Sequence, residues 1–157
     1  MCSSDLFSSN LPAMWVLRET GRFDENAKEA SEFFKNFHGE ITEEMLEGFL
    51  KYAGFATPGQ SVRDLPLWNG WLHFRQSLRN NPFVVSYMDS LNRLKNLQPP
   101  VLLVKGTGST PWLHHIIDGL AENLPNARVV EYPGGHAPHL VTADKFLIEL
   151  EKFQKIK

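Results

Sequence analysis

Four of the chain's six histidines, His114, His115, His136 and His139, fall close together in sequence. Imidazole titrates near neutrality, so it can hold a metal or move a proton. A zinc site wants three or four converging ligands. His114 and His115 are adjacent, so a helix would point them apart. Ala137-Pro138, between the other two, argues against a regular helix displaying both. The spacing therefore speaks against a metal centre. Gly106-Thr107-Gly108-Ser109-Thr110 stands where a strand meets a helix, the place for a phosphate on a helix N-terminus. A dinucleotide fingerprint would carry a third glycine where Pro111 stands, and no Gly-Lys-Ser/Thr ending follows. A plain turn is expected there. Phe33, Phe34, Phe37, Phe49, Trp68, Trp71 and Phe74 recur at helical spacing. They read mainly as core, with some able to line an apolar pocket. On local sequence alone, His136 is a residue of a polar turn.

Composition narrows what these residues can serve. The chain has 157 residues, 42% hydrophobic and 22% charged. That suits about one globular domain. Its longest pure apolar run, Val101–Val104, is far short of the ~20 residues of a membrane helix. The first six residues lack the basic start and apolar stretch of a secretory signal. Cys2, the one cysteine, has no intrachain partner. A net charge of −2 leaves no basic footprint for nucleic acid. The expectation is a cytoplasmic protein handling a small molecule, with neither nucleic acid nor membrane as partner.

The chain divides near Pro99-Pro100. Residues 22–97 form an expected helical region. Ala27, Ala30, Phe33, Phe34 and Phe37 mark one helix face, with Asp24 as N-cap and Gly39 as stop. Thr42 should cap a second helix, with Met45, Leu46, Phe49 and Leu50 inward and Gly54 at its end. Ile41 and Leu46 are placed to form a hydrophobic staple. Thr57-Pro58-Gly59 is turn chemistry. A third helix is expected over Pro66–Leu78 despite Asn69-Gly70, since an interior glycine costs about 1 kcal/mol. A last segment, Val84–Leu97, leads to the prolines.

Residues 98–157 read differently. Val101–Val104 is a β-branched, apolar run of the kind found in buried parallel strands. Thr110 should cap a helix with Pro111 at its first position. Leu113, Ile116, Ile117, Leu120 and Leu124 would face inward. Arg128–Tyr132 is a second strand, and Pro133-Gly134-Gly135 turns the chain. Thr142 should cap a final helix, with Phe146, Leu147, Leu150 and Phe153 inward. The two strands should be parallel. Two parallel strands alone cannot bury both sheet faces. The chain therefore reads as part of a larger sheet, whose exposed edge invites self-association.

Three blocks carry a resemblance: Pro100-Val101-Leu102-Leu103-Val104-Lys105-Gly106, Leu124-Pro125-Asn126-Ala127-Arg128-Val129-Val130, and Pro133-Gly134-Gly135-His136-Ala137-Pro138-His139. In this order they resemble the C-terminal end of the α/β-hydrolase fold. The resemblance implies an α/β class. It makes the architecture an incomplete α/β-hydrolase fold, a helical cap followed by strand-helix-strand-helix with two parallel strands. It makes residues 22–97 the cap and 98–157 the end of the core. It implies hydrolysis of a small, fairly apolar ester, amide or related substrate by a nucleophile, a histidine and an acid, without a cofactor. His136 is the position matching the catalytic histidine; His139 itself reads as a neighbour that packs or hydrogen-bonds. Such a base is required because a serine hydroxyl is a weak nucleophile at neutral pH.

The rest of that machinery is missing from the pattern. No G-x-S-x-G elbow occurs, and Ser109 has the wrong spacing and follows the wrong strand. The oxyanion-hole loop is absent too, which removes much of such a site's power. The turn after Val101–Val104 holds no acid. Asp118 reads as surface, and Asp89 as solvated or capping. Asp5 lies where some relatives place the acid. However, Cys2-Ser3-Ser4-Asp5-Leu6 is also what TGCTCTTCCGATCT plus one base would encode, a string like a sequencing-adapter end. Residues 1–21 are thus expected to be a remnant, partly adapter-derived, of a longer hydrolase. The chain alone should be nearly inactive. The alternative is a non-catalytic helical binding or interaction module with a hydrolase-like tail.

Overall fold

The computed structural model describes residues 6–8, 13–24, 28, 37, 39–56, 59–79 and 87–155. Its centre is strand β2, Val101–Gly106, which pairs in parallel with β3, Ala127–Tyr132. A third strand, β1 (Leu6–Ser8), joins β2 on its other side, also parallel, with Leu6 opposite Val101. The sheet order is β1-β2-β3. Nothing in the sequence marks β1 as a strand. Three residues are too few to show an alternation.

Val101, Leu102, Leu103 and Val104 are 4% exposed or less. Burial of this degree favours the fold by about 2 kcal/mol per side chain. Successive residues of a strand face opposite ways, so β2 feeds two cores. Val101 and Leu103 pack with Ile117 and Leu124 around helix α5, Pro111–Asn123. Leu102 and Val104 pack with Tyr132 and Phe153 around helix α7, Ala143–Gln154. The chain's own helices thus cover both faces of β2.

The helical region assembles largely as its pattern predicts. Helix α2, Glu43–Tyr52, starts where the Thr42 hydroxyl accepts a hydrogen bond from the Met45 N–H at 3.3 Å. It ends before Gly54, whose φ of 74° only glycine adopts freely. Leu46 and Leu50 are buried with Val62 and Trp68 in a core separate from the sheet's. Ile41 is fully buried as well. Helix α3, Trp68–Phe74, forms through Asn69-Gly70 and then tightens into a 3-10 turn over Arg75–Leu78. Of the Val84–Leu97 segment, Leu91–Leu94 forms a single helical turn, α4. Phe37 is buried, 6.4 Å from Phe49. Phe23, Asp24 and Lys28 are helical. Ala27, Ala30, Phe33 and Phe34 lie outside the described residues, as do Thr57-Pro58.

Four local expectations are corrected. Thr110 and Thr142 stand at the starts of α5 and α7, but neither side chain makes a capping bond. The Thr142 hydroxyl instead donates to Pro138 O at 3.0 Å, closing the short helix α6, Pro138–Val141. Leu147 is 54% exposed, because α7 covers the sheet only with the stripe through Phe146, Leu150 and Phe153. Phe74 is 69% exposed, at the end of α3 where the helix tightens, so it is not core.

One element has no counterpart in the sequence reading. Helix α1, Met14–Glu19, buries Met14, Trp15, Val16 and Leu17 against Leu91 and Ile116. It docks on α5 at Gly119. A Cβ there would lie 2.7 Å from Val16 Cγ1 and 3.2 Å from Thr20 Cγ2. Glu19 Oε2 also accepts from the Leu91 N–H at 2.7 Å, fixing α4 to α1. Gly119→Ala should therefore destabilise. The helix gains about 1 kcal/mol in propensity, but overpacking costs about 1–3 kcal/mol. We expect a net loss of about 1 kcal/mol by urea denaturation. A more stable variant would show that α1 does not press on α5 this closely.

Candidate active site

The chain leaves β3 at Tyr132 and turns through Pro133-Gly134-Gly135 to His136. Main-chain hydrogen bonds hold this loop from two sides. Gly108 N–H, in the turn after β2, donates to Gly134 O at 2.8 Å. His136 N–H donates to Ala53 O, at the end of α2, at 3.0 Å. Between them the backbones touch with no room for side chains. A Cβ on Gly135 would lie 2.0 Å from Gly54 O, and a Cβ on Gly106 would lie 2.0 Å from Gly135 O. Three glycines from three segments thus meet beside His136.

The His136 ring packs edge-to-face against Phe55, with ring centroids 5.3 Å apart. Phe55 packs the same way on Trp71 of α3, at 5.2 Å. The helical region therefore supplies one wall of the histidine's surroundings. Burial pushes the His136 imidazole below its ordinary value, and the neighbouring His139 adds a like charge in the same direction. His139 is lowered by burial as well. Its ring lies 5.7 Å from that of Phe146 on α7. A neutral imidazole can accept a proton, which is the form a general base needs.

The other candidates sit elsewhere. Ser109 lies in the turn after β2, its N–H donating to Gly106 O at 3.0 Å. His114 bonds Gly106 O through Nε2 at 2.8 Å, tying α5 to the end of β2. His115 lines a groove of about 240 Å³ with Thr20, Arg22, Asp118, Gly119 and Glu122. None of these groove residues belongs to the His136 loop. Asp118 accepts from Lys105 Nζ at 2.7 Å, a pair between α5 and β2. Asp89 accepts from Ser90 N–H and Arg93 at 2.8 Å each, ahead of α4. Asp5 and Cys2 lie outside the described residues. Among the described residues, no three His, Cys, Asp or Glu side chains come together as a metal site would require. No described helix is long and apolar enough to cross a membrane. In the sequence Gly54 signals only a helix stop, and Phe55 carries no functional signal. Their part here comes from tertiary contact, which no local pattern signals.

No protein-family model matches the chain, and no curated protein is detectably similar to it in sequence. A solved structure does match. It is a provisionally assigned non-heme bromoperoxidase, BpoC, from Mycobacterium tuberculosis H37Rv, with a TM-score of 0.54 and 15% identity. The match covers 83% of this chain and 51% of that one, so this chain spans about half of its length. The likeness is one of fold, and the fold is that of the α/β-hydrolases in part.

In Gly135→Ala the new methyl meets backbone that cannot swing aside, so it should cost at least about 2 kcal/mol. Gly48→Ala, in the open interior of α2 with nothing within 4 Å, should instead be stabilising by up to about 1 kcal/mol. Equal denaturation midpoints for the two would refute the close contact. With both imidazoles lowered in the fold, the unfolded chain binds protons more readily than the folded one between the folded values and 6.5. Their contribution is intact above pH 6.5 and is lost as pH falls towards the folded values. Glu44, Glu47 and Asp89, whose carboxylates are held low mainly by the hydrogen bonds they accept, act only at lower pH, near and below their ordinary carboxylate values. Melting temperature should thus drop between pH 7 and 5.5. His136→Gln with His139→Gln should flatten that slope; an unchanged slope would place its origin elsewhere.

Proposed function

We propose that the chain is the cap-and-histidine half of an α/β-hydrolase. In this reading residues 22–97 form the cap and 98–157 the end of the core. The observation that carries it is His136 itself. The residue occupies the loop after β3, between the end of α2 and the turn after β2, in a chain that matches half of such a fold. His136 is the general base, neutral at pH 7 through burial. It takes the proton of a nucleophile carried by the part of the enzyme that this sequence does not contain. The bond cleaved is an ester, amide or related bond of a small, fairly apolar substrate. Phe55 and Trp71 supply apolar surface beside the base. No cofactor enters the reaction, and the enzyme works in the cytoplasm. The acid must come from outside the turn after β2, which reads Thr107-Gly108-Ser109-Thr110-Pro111.

The second reading is a non-catalytic helical binding module. The favouring observation is that the chain's own helices cover both faces of β2, so the sheet needs no further layer there.

Sequencing unamplified source DNA upstream of codon 1 separates the two. The proposal expects an in-frame extension encoding a strand, a G-x-S-x-G elbow or its aspartate variant, and a helix. The extended protein should hydrolyse small nitrophenyl esters or haloalkanes, as its elbow residue dictates. His136→Ala should then lower kcat by about three orders of magnitude or more. A promoter and start at Met1 with no extension, or full activity without His136, would overturn it.

A further inference from the structure

We infer that Phe55 is a positioning residue for the His136 imidazole, through which the core of the helical region sets how that ring is oriented and how dry it stays. The inference takes its catalytic meaning from the reading of His136 as the base, but the packing stands without it.

Ala53 O receives the His136 N–H, Gly54 lies against Gly135, and Phe55 comes next in the chain. The same tripeptide thus fixes the histidine's backbone and delivers a ring to its side chain. An imidazole whose backbone alone were held could still turn about its two side-chain torsions. The Phe55 ring, at 62° to the imidazole plane, restricts that rotation with an edge-to-face contact. Phe55 is itself held, since Trp71 packs on it at 64° and both join the core of Leu46, Leu50, Val62 and Trp68. Rigidity therefore runs from α2 and α3 into the histidine. Phe55 carries no polar atom, so its place beside the imidazole excludes water without offering a hydrogen bond. Burial is the first cause of the lowered His136 value, and a wall that leaves would let water return. His139 also acts on His136 and stays in place in every variant below, so it does not account for differences between them.

The test is NMR titration of the His136 ring protons in the 157-residue chain, which needs neither nucleophile nor substrate. Phe55→Ala should raise the His136 midpoint towards its ordinary value, because water returns to the ring. Phe55→Leu, which keeps apolar cover, should leave the midpoint nearly as found. It should still displace the ring-proton shifts that an adjacent aromatic face imposes. This second variant decides the matter if Phe55→Ala does not fold. Val62→Ala, which weakens the same core but leaves the Phe55 ring beside the imidazole, should move both by clearly less than Phe55→Ala does. Unmoved His136 signals in both Phe55 variants would overturn the inference, as would a Val62→Ala effect of equal size. Loss of the base role in the extended enzyme would sink the proposed function and leave this result intact. An unmoved titration would do the reverse.

Discussion

The structure turns on a place where backbone meets backbone. Gly54 at the end of α2, Gly106 at the end of β2 and Gly135 in the loop after β3 approach more closely than any side chain allows. Each belongs to a different part of the chain, so their contact joins the helical region to the sheet. The two flanking hydrogen bonds, Gly108 to Gly134 and His136 to Ala53, can form only because the glycines let the strands of chain come this near. His136 inherits a fixed position from a contact in which it contributes only its N–H. A loop held by its main chain resists displacement better than one held by exposed side chains, whose ordering costs entropy.

Around that junction the energetics are those of ordinary burial. β2 is apolar on both faces and is covered twice, by α5 and by α7. The helical region has its own core around Leu46, Leu50, Val62 and Trp68. A third cluster, of Met14, Trp15, Val16 and Leu17 with Leu91 and Ile116, binds α1 and α4 to α5. Surface ion pairs such as that of Arg63 with Glu47, 2.6 Å apart, add little to this.

Elements whose burial follows one clear period were legible from sequence. The continuous apolar run of β2, the stripe of Leu113, Ile116 and Ile117 on α5, and Thr42 at the start of α2 all appear where the pattern puts them. Helix α1 escaped because four consecutive buried residues have no period to detect, and its N-cap, Ala13, offers no capping side chain. Leu147 was misplaced because the width of a helix's buried stripe depends on what it covers, and here that is a few residues of β2 and β3. For the candidate site, the loop after β3 that carries His136 was legible only through the order of the surrounding blocks. The contact with Phe55 joins residues far apart in sequence, and nothing near either residue announces it.

The two edges of the sheet differ in a way that bears on how the protein can assemble. On β3, Arg128 and Glu131 are exposed and engage Glu149 and Lys105, while Val129 alone is apolar and exposed. Charges on an outer strand discourage a neighbour from zipping onto it. The opposite edge is β1, three residues long. Growth of a filament needs two unlike sticky edges, one joining the other's partner in each copy. Here one of the two is guarded. Among the described residues β1 pairs on one side only, so it is the better of the two edges to receive a further strand. A strand added there would complete the sheet once, or join two copies edge to edge about a twofold axis, and either would leave only the charged β3 edge for further growth.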